Sequence, residues 1–346
     1  MRGHWRLLPG RRTWLTGLAA GCLLAAFLEP EITLQEQTFD YLITLDITQS
    51  MNTTDTVLDG VRMSRIAYTK RLLQQLLPRL PCGSRIGWAI FTEYRVFTLF
   101  TPVEVCANYD ALSQTLRRIG NDMAWAGGSE IARGLFAGLK AASRIPGRPD
   151  FVLITDGQEA PPVNPQFRPA FDGTPGAVPG VILGVGGDEL SPIPKIGRDG
   201  RFLGYWSARE VPQTDAYSAG RATSRPNDLL YNQAGQLIRP LPPSGTEQLS
   251  SLKSGYLRSL AQETGLQYRR LDGAGSLYSA LTQRAFARSS RVRTPVGFAP
   301  AALALVLLIG LYWPRRAVAA ADPSLRRASD GGNAPAHGTH VPKLPS

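Results

Sequence analysis

Residues 39–50 read Phe39-Asp40-Tyr41-Leu42-Ile43-Thr44-Leu45-Asp46-Ile47-Thr48-Gln49-Ser50. The first eight are short, apolar and β-branched, the pattern of a strand buried on both faces. The strand runs out at Asp46 into a polar loop that extends to about Gly60. In open α/β sheets ligands bind at the carboxyl ends of strands. Here that end carries a carboxylate and two hydroxyls at alternate positions. Alternate residues of an extended loop point the same way, so Asp46, Thr48 and Ser50 can converge.

Working outward, Arg62–Leu77 has helical spacing through Ile66, Leu72, Leu73, Leu76 and Leu77 and stops at Pro78. Arg85–Thr92 and Arg95–Thr101 are β-rich runs separated by Glu93-Tyr94, the spacing of a hairpin. Helices are expected over Tyr109–Ile119 and Ser129–Ala142. Phe151–Thr155, ending in Asp156-Gly157, and Val181–Gly186 read as further buried strands. After a loosely patterned insertion, 188–246, a helix is expected over Glu247–Thr264, a strand over Leu266–Leu271 and a helix over Leu277–Ala287. Alternation of strands and helices predicts an α/β fold, a central mostly parallel sheet with helices on both faces.

The chain has 346 residues and a net charge of +11. Most of that charge is in the flanks: residues 1–30 and 291–346 together carry +8, and residues 31–290 only +3. Basic residues beside apolar runs point to membrane orientation rather than to a phosphate-tracking surface, so nucleic acid is not an expected partner. The apolar runs are Thr13–Leu28, after Arg11 and Arg12, and Val296–Trp313, before Arg315 and Arg316. Both approach the roughly 17–25 residues of a membrane span.

The expected layout is therefore a cytoplasmic N-terminus (1–12), a transmembrane anchor (13–29), a domain at 38–288 on the far side, a second transmembrane helix (296–313) and a cytoplasmic, disordered tail (314–346). Two alternatives stay open for the first run. One is a cleaved signal peptide; the other is a lipoprotein signal with lipidation at Cys22, although apolar residues continue through Leu23–Leu28.

Cys82 and Cys106 fall in the exported part, where disulfides persist. They bracket the hairpin, at the end of the sheet opposite Asp46, and are expected to be bonded; two free buried thiols are the alternative. All three histidines (His4, His337, His340) lie in the flanks. This removes His-dependent nucleophilic sites and His-ligated zinc from the exported domain.

Asp46, Thr48 and Ser50, with Ser129 after Gly127-Gly128 and Asp156 at a strand end, offer only hard oxygen donors. Such a set suits Mg²⁺, with Ca²⁺ or Mn²⁺ as alternatives. Trp125, Gly128, Gln158 and Glu159 are expected at the rim of the same face. For Trp125 loop packing is an equal reading, and for Glu159 a solvated loop charge is the commoner one.

Asp46-x-Thr48-x-Ser50, a later hydroxyl at Ser129 and a later Asp at a strand end resemble the metal-ion-dependent adhesion site of von Willebrand factor A (vWA) domains. The resemblance covers roughly 38–187, and 247–288 resembles the closing helix-strand-helix of that Rossmann-like fold. Thr48 stands where the family has Ser, and Ser129 where it has Thr; both keep a hydroxyl. The resemblance implies direct contact of Thr48, Ser50 and Ser129 with a divalent cation. It implies a supporting role for Asp46 and Asp156, and an acidic side chain from a partner protein completing the shell.

A second resemblance concerns Leu45–Met51, Leu80–Gly87, Val103–Cys106 and Thr155–Pro162. These stretches are similar to the membrane-anchored vWA accessory proteins encoded with bacterial methanol dehydrogenase. It implies a non-enzymatic periplasmic assembly factor in the inner membrane, acting on a client such as methanol dehydrogenase, including its calcium loading. It also implies possible association with other accessory proteins of the same cluster. An envelope-stress or aerotolerance scaffold, a metallochaperone and a metal-dependent hydrolase are the alternatives.

Overall fold

A computed structural model describes residues 10–28, 30–163, 168–197, 199–213, 230–231, 237–238 and 245–312. The expected tail 314–346, most of the N-terminal stretch 1–12 and much of the insertion lie outside the described residues. The chain divides into two compact units, one spanning Thr33–Thr294 and one made of the two terminal segments.

In the larger unit the strands are β1 (Glu31–Thr38), β2 (Asp40–Asp46), β3 (Thr56–Leu58), β4 (Val61–Met63), β5 (Arg85–Thr92), β6 (Arg95–Glu104), β7 (Asp150–Thr155) and β8 (Gly180–Gly184). They continue with β9 (Ser191–Pro192), β10 (Pro194–Ile196), β11 (Phe202–Tyr205), β12 (Leu230–Tyr231), β13 (Leu237–Ile238), β14 (Leu249–Ser250), β15 (Gln267–Arg270) and β16 (Arg288–Pro295). The helices, counted along the whole chain, are α1 (Arg11–Phe27), α2 (Arg65–Leu76), α3 (Tyr109–Arg118), α4 (Ile131–Arg144), α5 (Ser254–Thr264), α6 (Ala274–Leu281) and α7 (Phe298–Tyr312).

The central sheet has the order β15-β8-β7-β2-β5-β6. Every pairing is parallel except β5 with β6. All seven residues of β2 are buried, as a strand covered on both faces requires. Its side chains alternate between two cores. Tyr41, Ile43 and Leu45 join the apolar residues of α2, α3 and α6, and Leu42 joins those of α4 and α5.

α4 lies close to the sheet because Gly134 and Gly138 present no side chain there. A Cβ on Gly134 would sit 1.9 Å from Phe91 Cε2, and one on Gly138 would sit 2.3 Å from Phe151 Cζ. This close seating positions the loop before α4, which carries Ser129.

Three element expectations are corrected. Arg62–Met63 belong to strand β4, and α2 begins only at Arg65, where the Ser64 hydroxyl accepts from the Ala67 N–H. The helix expected from Glu247 begins at Ser254, because Leu249 and Ser250 pair with Pro192 and Ser191. The last helix ends at Leu281, and Arg288–Pro295 is strand β16, paired with β1. The disulfide Cys82–Cys106 is formed, with Cα atoms 5.4 Å apart.

In the smaller unit α1 and α7 pack against each other. They expose large apolar side chains, Trp14, Leu24 and Phe27 on α1 and Leu305, Val306 and Tyr312 on α7. They contain 17 and 15 residues, so they are about 25 and 22 Å long against an apolar bilayer core of about 30 Å. Among the described residues no helix is long and apolar enough to cross a membrane. The span expected at 13–29 is shifted to Arg11–Phe27 at the same length, and the one expected at 296–313 is shortened to Phe298–Tyr312.

Candidate metal centre

The carboxyl end of β2 delivers Asp46 into the interior, where it is fully buried. Each of its oxygens is engaged. Oδ1 accepts from the Thr48 backbone N–H at 2.9 Å and the Thr48 hydroxyl at 2.7 Å, and Oδ2 accepts from the Thr155 hydroxyl at 2.6 Å. Asp46 therefore folds its own loop back on itself and ties it to β7. Thr48 Oγ1 lies 3.3 Å from Ser50 Oγ. The same loop is braced from outside: Asn121 donates to the Ile47 carbonyl at 2.8 Å, and Gln49 donates to Asn121 Oδ1 at 2.8 Å.

Ser129 is brought alongside by backbone pairing. Its N–H donates to the Ala160 carbonyl at 2.7 Å, and its carbonyl accepts from the Ala160 N–H at 2.8 Å. Thr48, Ser50 and Ser129, from two separate loops, line one cavity of about 300 Å³. The Ser129 hydroxyl is buried without a hydrogen-bond partner among the described residues. A buried orphan hydroxyl costs about 1–3 kcal/mol, which a cation contact would offset.

Asp156 is also fully buried and stands behind the cavity rather than in its wall. Its Oδ1 accepts from the Gln158 N–H at 2.9 Å, and its Oδ2 pairs with Arg65 Nη1 at 2.5 Å. Arg65 has no solvent exposure. It also grips Asp55, from Nε at 2.9 Å and Nη2 at 2.6 Å, and donates to Ser250 Oγ at 2.7 Å. Gly186, at φ 125°, leaves room for it, since a Cβ there would lie 2.6 Å from Arg65 Nε.

Three carboxyl side chains, Asp46, Asp55 and Asp156, thus lie around a single buried guanidinium, Arg65. The Asp46 carboxyl is raised to about 7, first by burial and then by the charge of Asp156, with hydrogen bonds from Thr155 and Thr48 opposing. The residues present thus fit a hard divalent cation: three hydroxyls face the cavity and two carboxylates lie behind them.

The expected rim residues separate. Gly128 and Gln158 line the cavity. Trp125 is 44% exposed, donates to Glu93 Oε2 at 3.3 Å, and borders a smaller neighbouring hollow with Gln49 and Gly127. Glu159 is not in the cavity wall. It accepts from the first N–H groups of α4, Ile131 at 3.0 Å and Ala132 at 3.4 Å, and from the Tyr256 hydroxyl at 2.5 Å. It is a remote cap for a helix whose own N-cap side chain, Glu130, makes no capping bond. Sequence reasoning missed Arg65, which at the start of an amphipathic helix looks like an ordinary surface cation. It also missed Thr155, whose partner lies 109 residues away.

The site and sheet define the class: an open, mostly parallel α/β sheet with a cluster of oxygen-bearing side chains at its carboxyl edge. No family model and no curated protein matches the chain. Among solved structures it is similar to an aerotolerance-related membrane protein of Bacteroides fragilis, at 20% identity and TM-score 0.43, covering 71% of this chain and 97% of that one. It is similar to a von Willebrand factor type A protein from Catenulispora acidiphila at 13% identity and TM-score 0.37, covering 72% and 42%. A third is the ArnB paralog VWA2 of Sulfolobus acidocaldarius, at 11% and 0.33, covering 72% and 46%.

Proposed function

We propose that the chain is a membrane-anchored domain of the vWA type that binds a divalent cation, Mg²⁺ first, and through it captures a partner protein. The observation that carries this reading is the convergence of Thr48, Ser50 and the partnerless Ser129 hydroxyl on one cavity, with Asp46 and Asp156 buried behind them. A cation held by neutral hydroxyls keeps much of its charge for an incoming carboxylate oxygen. Asp46 fixes the Thr48 hydroxyl toward the site; Arg65 and Gln158 hold Asp156. These are binding roles, and we read the protein as non-enzymatic.

The apolar side chains exposed on the paired α1 and α7 support anchoring, with the charge pattern of the flanks setting the 30–293 segment outside the cytoplasm. The finer reading, maturation of a periplasmic client such as methanol dehydrogenase, rests on the four sequence stretches quoted above; a general envelope scaffold is the alternative. Crosslinking in native membranes tests the site and names the client. A product present in Mg²⁺, and lost both in EDTA and in Ser129→Ala, is expected. A product indifferent to both treatments defeats the cation-dependent reading.

A further inference from the structure

The residues of the insertion that border the cavity differ in chemistry from its floor. The floor is hydroxyl; the wall is apolar, formed by Ile193, Trp206, Val211 and Pro212. This wall is a built feature. β9 pairs with β14 in the register Ser191↔Ser250 and Pro192↔Leu249. The Ile193 N–H donates to the Gln248 carbonyl at 3.2 Å, and the Trp206 N–H to the Ile193 carbonyl at 3.0 Å. The Lys195 ammonium sits 4.7 Å over the Trp206 ring and pairs with Glu210 at 2.5 Å.

Besides the Ser129 hydroxyl, two polar atoms of cavity-lining side chains are buried without partners among the described residues, the acceptor Gln158 Oε1 and the donor Trp206 Nε1. One peptide unit carries one N–H and one C=O, the complement of that pair. The volume is at the small end of ligand pockets, room for one or two side chains rather than for a flat protein face. Glu210 and Glu247 also border the cavity. With acidic side chains already at the border, one of them paired with Lys195, an apolar neighbour and not a second acid is the match for the wall.

We propose that Ile193, Trp206, Val211 and Pro212 wall the cation face into a pocket that reads a short extended peptide, an acidic residue flanked by an apolar one. This rests on the cation-dependent reading above and adds the identity of what is read. The acidic side chain reaches the hydroxyl floor, the flanking apolar side chain packs on Ile193 and Val211, and the peptide backbone meets Gln158 and Trp206.

The test is isothermal titration of the full chain in detergent with end-capped peptides. Gly-Leu-Asp-Leu-Gly in Mg²⁺ is expected to bind about tenfold or more tighter than Gly-Gly-Asp-Gly-Gly. Gly-Leu-Asn-Leu-Gly, and the first peptide in EDTA, should lose binding. Val211→Asp should abolish the leucine advantage, and Trp206→Phe, which keeps the apolar ring but deletes the N–H, should weaken binding about three- to tenfold. Mg²⁺-dependent binding that is equal for the leucine and glycine peptides overturns this proposal and leaves the cation reading standing. A leucine preference that persists in EDTA and with Asn overturns both. No binding by any peptide also overturns the proposal.

Discussion

Glu159 illustrates how one carboxylate can serve a site without touching it. Its pKa is raised to about 7, burial being the largest cause, with hydrogen bonds from Tyr256, Ile131 and Ala132 opposing and the charge of Glu130 adding. A carboxyl whose folded pKa is raised holds its proton more tightly in the native state. Stability is therefore greatest below the unfolded value of 4.5 and falls as pH climbs from 4.5 to about 7. The loss attributable to this group is about 2–3 kcal/mol. Glu159→Gln keeps an acceptor for the α4 N–H groups but cannot ionise. Denaturation at pH 5 and pH 7.5 in EDTA should give a wild type that loses stability across the window and a variant that loses about 2–3 kcal/mol less; parallel losses would contradict the assignment. At this scale the placement of Asp46, Thr48 and Ser50 together was legible, because alternation at a strand end aims them one way. Glu159 and Arg65 were not, because a charged side chain in a loop or on a helix face reads as solvated until its partners, 28 or 91 residues away, are known.

The hairpin β5–β6 and its disulfide set the opposite end of the sheet. Arg85 pairs with Asp40, and Phe91 with Asp46. Cys82 therefore lies at the far end of the strands from the cation cluster, about 20 Å away at roughly 3.3 Å per residue. The bond closes a separation of 24 residues and should stabilise the domain by about 3 kcal/mol. Replacing both cysteines by Ser should lower the denaturation midpoint accordingly and leave Mg²⁺ affinity unchanged; a parallel fall in affinity would show the two ends to be coupled. The buried strands β2, β7 and β8 were readable as apolar runs. β14 was not, since Leu249 and Ser250 fit the helical spacing of the residues that follow. Only a partner strand from the insertion, β9, reassigns them.

On the scale of the whole molecule, basic flanks beside apolar segments and the proposed cation site are separate features that one layout reconciles. Intact cells and right-side-out membranes test it directly. The chain should stay in the membrane pellet after an alkaline carbonate wash, and protease added to spheroplasts should digest the 31–293 segment. Release by carbonate, or protection of that segment, would refute the anchored, outward-facing arrangement. The insertion was the least legible region, because its wall is assembled from two- to four-residue strands whose pairing no local pattern announces.

Arg65 joins these scales. One guanidinium spans Asp156 at the cation site and, through Asp55, the Gly187 N–H where the insertion departs; it also reaches Ser250, where the insertion returns. Lysine could not take its place, for a single ammonium cannot fork toward carboxylates on two sides. The insertion is thus clasped at entry and exit by the same group that pairs with Asp156 beneath it. Displacing either end would leave Asp55 or Arg65 short of a buried hydrogen-bond partner, so both ends keep their register with the carboxylates beneath.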